Sequence, residues 1–496
     1  LLLAVSACAR PAPEEDSYGI SVPYDLASLD PGERNRLSDF SLLSNFYEPL
    51  VVTDADLSPR PALAARWSNP DALTWLFELR PGVRFHDGGR LTADDVVWTF
   101  ERLRADPRLE MWGHVAAIES VRACGEATVE IRTAAPVGIL LNKLRFVLIV
   151  RRGEDGAKLA ERVNGTGPYR LVSWTKGRTL LLRRNEDYWG TRPSFREVRF
   201  LIDRTPGEAL EDFQSGRSPF IQSNAKSTEA ALRGQEGVVL RRNSSVSVKF
   251  LFFALGRSTA RDVTGGRNPF LDVRVRRAVS AAIDRRELVR RLSFPATPAN
   301  QLVTPYIFGH DPSRKPLPYD PVEARRLLAE AGFRDGFDLD LPARGLYAEA
   351  AGYVAEMLGR VGIRARVRSL TESEWFRAAE NEELTLTISR FGCPTGDASD
   401  FFDGALQTWD PARKTGQNNY SRYSNPLVDE LMRTAGRTLE MSRRRELLVR
   451  ATARAMEDVA VVPLFIDQEL YAHRPGVEWR PRNDNFLIAS EIRRPR

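Results

Sequence analysis

In the stretch Trp75-Leu76-Phe77-Glu78-Leu79-Arg80-Pro81-Gly82-Val83-Arg84-Phe85-His86-Asp87-Gly88, apolar side chains alternate at 75, 77 and 79. Period-two alternation places them on one face of a strand. Arg80-Pro81-Gly82 turns the chain, and Val83 and Phe85 resume the alternation, so the segment predicts a hairpin. Thr92 then precedes Ala93-Asp94-Asp95, with Val96, Val97, Phe100 and Leu103 at helical spacing. A threonine N-cap with two acids in the first turn satisfies orphan N–H groups and suits the helix dipole. Asp94 and Asp95 are therefore read as helix-start acids, not as a general acid/base pair. A hairpin leading into a helix indicates a mixed α/β protein.

The same mixture continues outward. Tyr169 to Val172 and Leu180 to Arg183 predict a second hairpin turning near Lys176-Gly177, and Arg199 to Ile202 a further strand before a polar stretch from Ser215 to Gly237. Lys249-Phe250-Leu251-Phe252-Phe253-Ala254-Leu255 is almost continuously apolar and reads as a strand buried on both faces. After a loop from Gly256 to Pro269, Val273 to Leu292 predicts one long arginine-rich helix. Asp320-Pro321 opens another, closed at Gly332. Ser442 to Met456 is helical again, and Ala460 to Ile466 is a buried strand. Composition shifts near 160 and 250 mark the domain boundaries.

With 496 residues, of which 42% are hydrophobic, the chain has material for large cores and is not disordered. Its net charge of +6 is small and dispersed, which argues against a nucleic-acid partner. Four histidines, none near another in sequence, give no metal-binding spacing, and no metal or cofactor is expected. Ser173-Trp174-Thr175-Lys176 and Ser223-Asn224-Ala225-Lys226 both satisfy Ser-x-x-Lys, and Lys414-Thr415-Gly416 and Tyr423-Ser424-Asn425 match other motifs of penicillin-recognising serine acylases. Their order is wrong for that chemistry, since Lys-Thr-Gly should come last; a surface-anchored serine acylase is kept only as the alternative, and no catalytic residue is assigned. Leu1-Leu2-Leu3-Ala4-Val5-Ser6-Ala7-Cys8 looks like the tail of a secretory apolar region ending in a lipobox, with Cys8 as the lipidated residue and the following residues to Ser17 as a tether. Cys124 and Cys393 are expected to be unpaired buried thiols.

Leu63-Ala64-Ala65-Arg66-Trp67 followed by Trp75 to Gly88 resembles the peptide/nickel-type, family 5 extracellular solute-binding proteins of ABC importers. Leu29-Asp30-Pro31, Tyr47-Glu48-Pro49-Leu50, Leu91 to Val96, Asn164-Gly165-Thr166-Gly167-Pro168-Tyr169, Asn185 to Trp189, Asp272 to Ala278 and Tyr423 to Pro426 follow in family order. The resemblance implies a two-lobed type II periplasmic-binding-protein fold of the large peptide-binding class, with an extra small α/β domain. Residues 1–17 would be signal remnant, lipobox and tether. Residues 18–48, 165–250 and 465–496 would form lobe I, 49–164 the extra domain, and 251–464 the ligand-binding lobe II. It further implies a non-enzymatic, monomeric lipoprotein at the periplasm or cell surface. Such a protein captures a solute, foremost an oligopeptide, between closing lobes and delivers it to the permease subunits of an ABC transporter.

The resemblance also locates the cleft. Peptide-binding members carry an aspartate for the ligand amine in a segment that here reads Arg390-Phe391-Gly392-Cys393-Pro394-Thr395-Gly396-Asp397, and Pro394 stands at its place. Asp397, three residues on, is the substitute candidate. Tyr24, Trp375, Arg390, Phe391, Asp397, Asn418 and Tyr420 are nominated as substrate-binding residues, with Arg390 for a ligand carboxylate through a two-pronged contact.

Overall fold

The computed structural model describes residues 16–412 and 415–495. Cys8, with the lipobox and nearly all of the tether, lies outside the described residues, as does Lys414.

Eight strands follow one another across the main sheet: Leu386–Gly392, Ser247–Phe253, Val461–His473, Phe220–Ser223, Ser17–Ser21, Glu197–Leu201, Thr179–Arg184 and Tyr169–Thr175. Val239–Ser244 and Ala296–Pro298 also pair with Val461–His473. This thirteen-residue strand is longer than its apolar start predicts. Its first part pairs with Ser247–Phe253, and its last part, from Gln468, pairs with Val239–Ser244 and Phe220–Ser223. One strand thus serves two sheet regions. Ser247–Phe253 is buried from Val248 onward, as its apolar run requires.

A separate four-stranded antiparallel sheet orders Ala64–Ser68, Thr74–Leu79, Thr128–Thr133 and Ile118–Ala123. The expected hairpin within 75–85 is not formed. Thr74–Leu79 instead pairs with Ala64–Ser68 and Thr128–Thr133, while the Phe85 N–H donates to the Gly89 carbonyl at 2.8 Å in a tighter loop. Gly82 and Gly88, at φ of 77° and 90°, turn the chain before it can pair back. The helix after Thr92 runs Ala93–Ala105, and the Asp95 carboxylate accepts from the Thr92 N–H at 2.8 Å. The apolar faces of these elements merge with those of Ser17–Ser21, Thr179–Arg184 and Glu197–Leu201 in one core.

Beyond residue 250 two further cores form. Phe337–Arg344 and Ile363–Leu370 pair in parallel around the helix Ala348–Gly359, a right length of chain for a crossover. The single helix expected over 273–292 is broken into Val273–Ala282 and Arg285–Arg291. Asp284 breaks it, because its carboxylate accepts from the N–H groups of Arg286 and Glu287 and starts a new helix. The polar stretch 215–237 also holds more than loop, with a buried strand Phe220–Ser223 and a helix Lys226–Leu232. Both thiols are free, but Cys124 is exposed, not buried, since it sits in the turn after Ile118–Ala123.

Candidate functional site

Where the two sheet regions meet, the crossing strands form the floor of a cavity of about 800 Å³, lined there by Ser247, Phe250, Phe252 and Val461. One wall comes from the early chain: Asn35 to Ser38, Gly113, His114 and Lys143. The other comes from Arg344, Glu372, Trp375, Phe376, Ser389 to Gly392, Pro394, Thr395, Asp400, Asp403, Asn418 and Tyr420.

Five nominated residues line this cavity: Trp375, Arg390, Phe391, Asn418 and Tyr420. Arg390 lies two residues before the end of the strand Leu386–Gly392, opposite Lys249, and its guanidinium closes no hydrogen bond or ion pair among the described residues. Trp375 touches the cavity only at an edge; it is 1% exposed, and its indole N–H donates to the Thr387 hydroxyl at 3.0 Å. Phe391 packs edge-on to Phe401 at 5.6 Å, against Gly404, where a Cβ would collide with its ring at 2.2 Å. The Tyr420 hydroxyl donates to the Asn418 side-chain oxygen at 3.3 Å, a mutual contact on the rim.

Two nominations fail. Asp397 does not reach the cavity. Arg444, itself fully buried, takes both its carboxylate oxygens, one contact measuring 3.0 Å. Buried against Arg444 and away from the cavity lining, this carboxylate is not placed to meet a ligand amine. Tyr24 also lies off the cavity lining; its hydroxyl donates to Gln222 at 3.1 Å and contacts Ser41. Gln222 in turn donates to Glu469 at 3.3 Å, two residues from Asp467, which pairs with the buried Lys249. Tyr24 belongs to this polar network along the crossing strands.

The acids that do face the cavity are Asp400 and Asp403, which the sequence reading passed over. Their spacing of three residues around Phe401-Phe402 sets them on one side of a helical turn. Asp403 sits in a π-helical segment, Phe402–Leu406. Burial pushes Asp400 up to about 7, against hydrogen bonds from the Thr395 N–H and hydroxyl. Burial likewise pushes Asp403 up to about 6, and Lys143 pulls it down. The Asp403 carboxylate is open to the cavity but surrounded by protein, and it accepts no hydrogen bond among the described residues. The amine of Lys143, one of only seven lysines, also closes no hydrogen bond or ion pair among the described residues.

Arg344 was also missed. It ends the strand Phe337–Arg344, at the carboxyl end of a parallel pair, where α/β sheets commonly place ligands. Its guanidinium lies 4.7 Å from the Trp375 ring centre and donates to Glu372 at 3.0 Å. His114 is held down to about 3 by burial and by Lys143 and Arg145, so it is neutral.

The serine-enzyme motifs do not assemble. Ser223 is buried and donates to the Thr228 hydroxyl at 3.0 Å, whereas the Lys226 amine donates to the carbonyls of Val289, Arg290 and Leu292. Ser173 lies on the exposed part of Tyr169–Thr175, not on a helix turn.

Comparison with known proteins agrees with this architecture. The description "Bacterial extracellular solute-binding proteins, family 5 Middle" matches residues 58–412. The glutathione-binding protein GsiB of Salmonella typhi is 26% identical over 494 residues, covering 95% of this chain and 93% of that protein. The solved structure of the periplasmic binding protein DppA from Helicobacter pylori, in complex with peptide STSA, superposes with a TM-score of 0.78 at 21% identity, covering 96% of this chain and 98% of that one. HbpA2 from Haemophilus parasuis superposes at 0.85 with 19% identity, covering 97% and 100%. These likenesses show the two-lobed fold of the large periplasmic binding proteins.

Proposed function

Because the chain belongs to the bacterial extracellular solute-binding proteins of family 5, we propose that it captures a zwitterionic, peptide-like solute and delivers it to an ABC permease. One observation carries the choice of ligand: the cavity wall holds charges of both signs without partners of their own, Arg390 and Lys143 against Asp403 and the second oxygen of Asp400. Arg390 and Asp403 are exposed there, so water solvates them until a ligand of opposite charge takes its place. A solute with a carboxylate toward Arg390 and an amine toward Asp400 and Asp403 answers both. Glutathione, which the relative from Salmonella typhi is named for binding, has one amine and two carboxylates and is the first solute to try.

Calorimetry with glutathione and its N-acetyl derivative tests the reading. Saturable binding of the first, weakened at least about tenfold in the second, is expected if the amine contact is worth about 1.5–3 kcal/mol. Binding of uncharged solutes in preference to either would sink it.

The division into lobe I (18–48, 165–250 and 465–496), extra domain (49–164) and lobe II (251–464) belongs to the same reading, as do a monomeric state and binding without turnover. So does anchoring of the mature protein by lipid on Cys8. A triacylated cysteine exceeds the two signals that stable anchoring requires. Membrane fractionation of the full precursor beside Cys8→Ser checks this, with only the variant expected in the soluble fraction.

A further inference from the structure

The early wall of the cavity does not merely face the later one; it is seated on it. The Gly138 N–H donates to the Gly436 carbonyl at 2.9 Å, and the Asn142 side-chain amide donates to the Thr395 carbonyl at 2.7 Å. A Cβ at Gly138 would stand 2.5 Å from the Thr438 carbonyl oxygen and 2.7 Å from the Arg444 Nε. Only glycine lets the backbone come this close. The surface under Gly138 is rigid, because Arg444 ties Asp397 to the Ala435 carbonyl, joining the loop at 395–400 to the helix Pro426–Arg437. The next residue after Asn142 is Lys143, on the same short helix Leu140–Leu144, and it lines the cavity.

We propose that Gly138 and Asn142 are positioning residues for ligand capture: they seat the helix Leu140–Leu144 on the second lobe and thereby hold Lys143 on the cavity wall. Neither residue lines the cavity. The part of this concerning ligand affinity rests on the zwitterionic-solute reading; the seating itself does not. The buried Arg444–Asp397 pair then acts as the platform for closure, which explains why an acid in the cleft segment is withheld from the ligand.

Gly138→Val, Asn142→Ala, Lys143→Ala and the double variant Gly138→Val/Lys143→Ala test it, with small-angle scattering without ligand and calorimetry with glutathione. Scattering should show Gly138→Val more open, its radius of gyration larger by about 1 Å on the roughly 23 Å of a compact chain this long. Glutathione affinity should fall at least about tenfold in Gly138→Val and about threefold in Asn142→Ala. Adding Gly138→Val to Lys143→Ala should cost less than Gly138→Val alone, because one acts through the other. Fully additive losses, or wild-type scattering and affinity in both single seat variants, overturn the proposal. Should glutathione not bind the wild type, scattering decides alone, and an unchanged radius overturns the seating. Should Gly138→Val not fold, Asn142→Ala decides by both measurements.

Discussion

Beneath the seam, Asp397 gives both carboxylate oxygens to Arg444, and neither side chain reaches solvent. Six residues later Asp403 faces the cavity; its carboxylate accepts no hydrogen bond among the described residues and is pushed up to about 6 by burial. The two acids share a segment but not their surroundings: Asp397 is buried in an ion pair with Arg444, whereas Asp403 is exposed to the cavity with no ion pair, though Lys143 pulls on it. A paired buried charge holds backbone in place; an unpaired one beside a cavity is reserved for something that arrives. Proximity in sequence to a family binding segment does not separate these roles, whereas the location of the nearest arginine does.

The hardest way to break the comparison is to remove the paired acid. Asp397→Asn keeps the shape but leaves Arg444 buried without a counter-charge, and should cost about 3–5 kcal/mol of stability. Denaturant unfolding measures it, and a loss below about 1 kcal/mol would make the pair no more than ornamental. Removing an unpaired charge should do the opposite. Arg390→Ala is expected to leave unfolding within about 0.5 kcal/mol of wild type while weakening glutathione at least about tenfold by calorimetry.

The raised acids give the comparison a pH axis. Asp400 and Asp403 must be ionised to take an amine, so glutathione affinity should climb as pH rises from 5 to 8, while the N-acetyl derivative stays nearly flat. Stability without ligand runs the other way. The folded protein binds more protons than the unfolded chain between the ordinary carboxylate range and about 7, so these two acids destabilise it as pH rises through that window. Asp403→Asn should therefore gain melting temperature relative to wild type as pH goes from 4 to 7. At the small end, Thr92→Ala removes an N-cap far from the cavity and should cost about 1 kcal/mol with no change in binding.

Much of the scaffold was legible because it follows from local pattern: the apolar run at 249–255, the Thr92 cap, the Asp320-Pro321 start and the hairpin at 169–183. Misreadings came where a single side chain overrules periodicity, as Asp284 does inside an otherwise continuous helical pattern. Others came where a short element hides in polar sequence, as Phe220–Ser223 does. At the cavity, Arg390, Phe391, Asn418 and Tyr420 were found through the family's segments. Asp397 was misassigned because its partner, Arg444, lies on a different helix, Met441–Glu457, and nothing local announces it. Arg344 and Lys143 carry no motif at all; only the folded arrangement brings them to one space.

The strand Val461–His473 has a consequence for how the chain folds. It fills a central place in both sheet regions, yet it follows both of its neighbours there by roughly two hundred residues of chain. Until it docks, Ser247–Phe253 on one side and Phe220–Ser223 on the other each lack a neighbour, so neither sheet region is finished without it. Pairing across so long a stretch of chain is non-local, and such contacts form slowly because the loop must close before they are made.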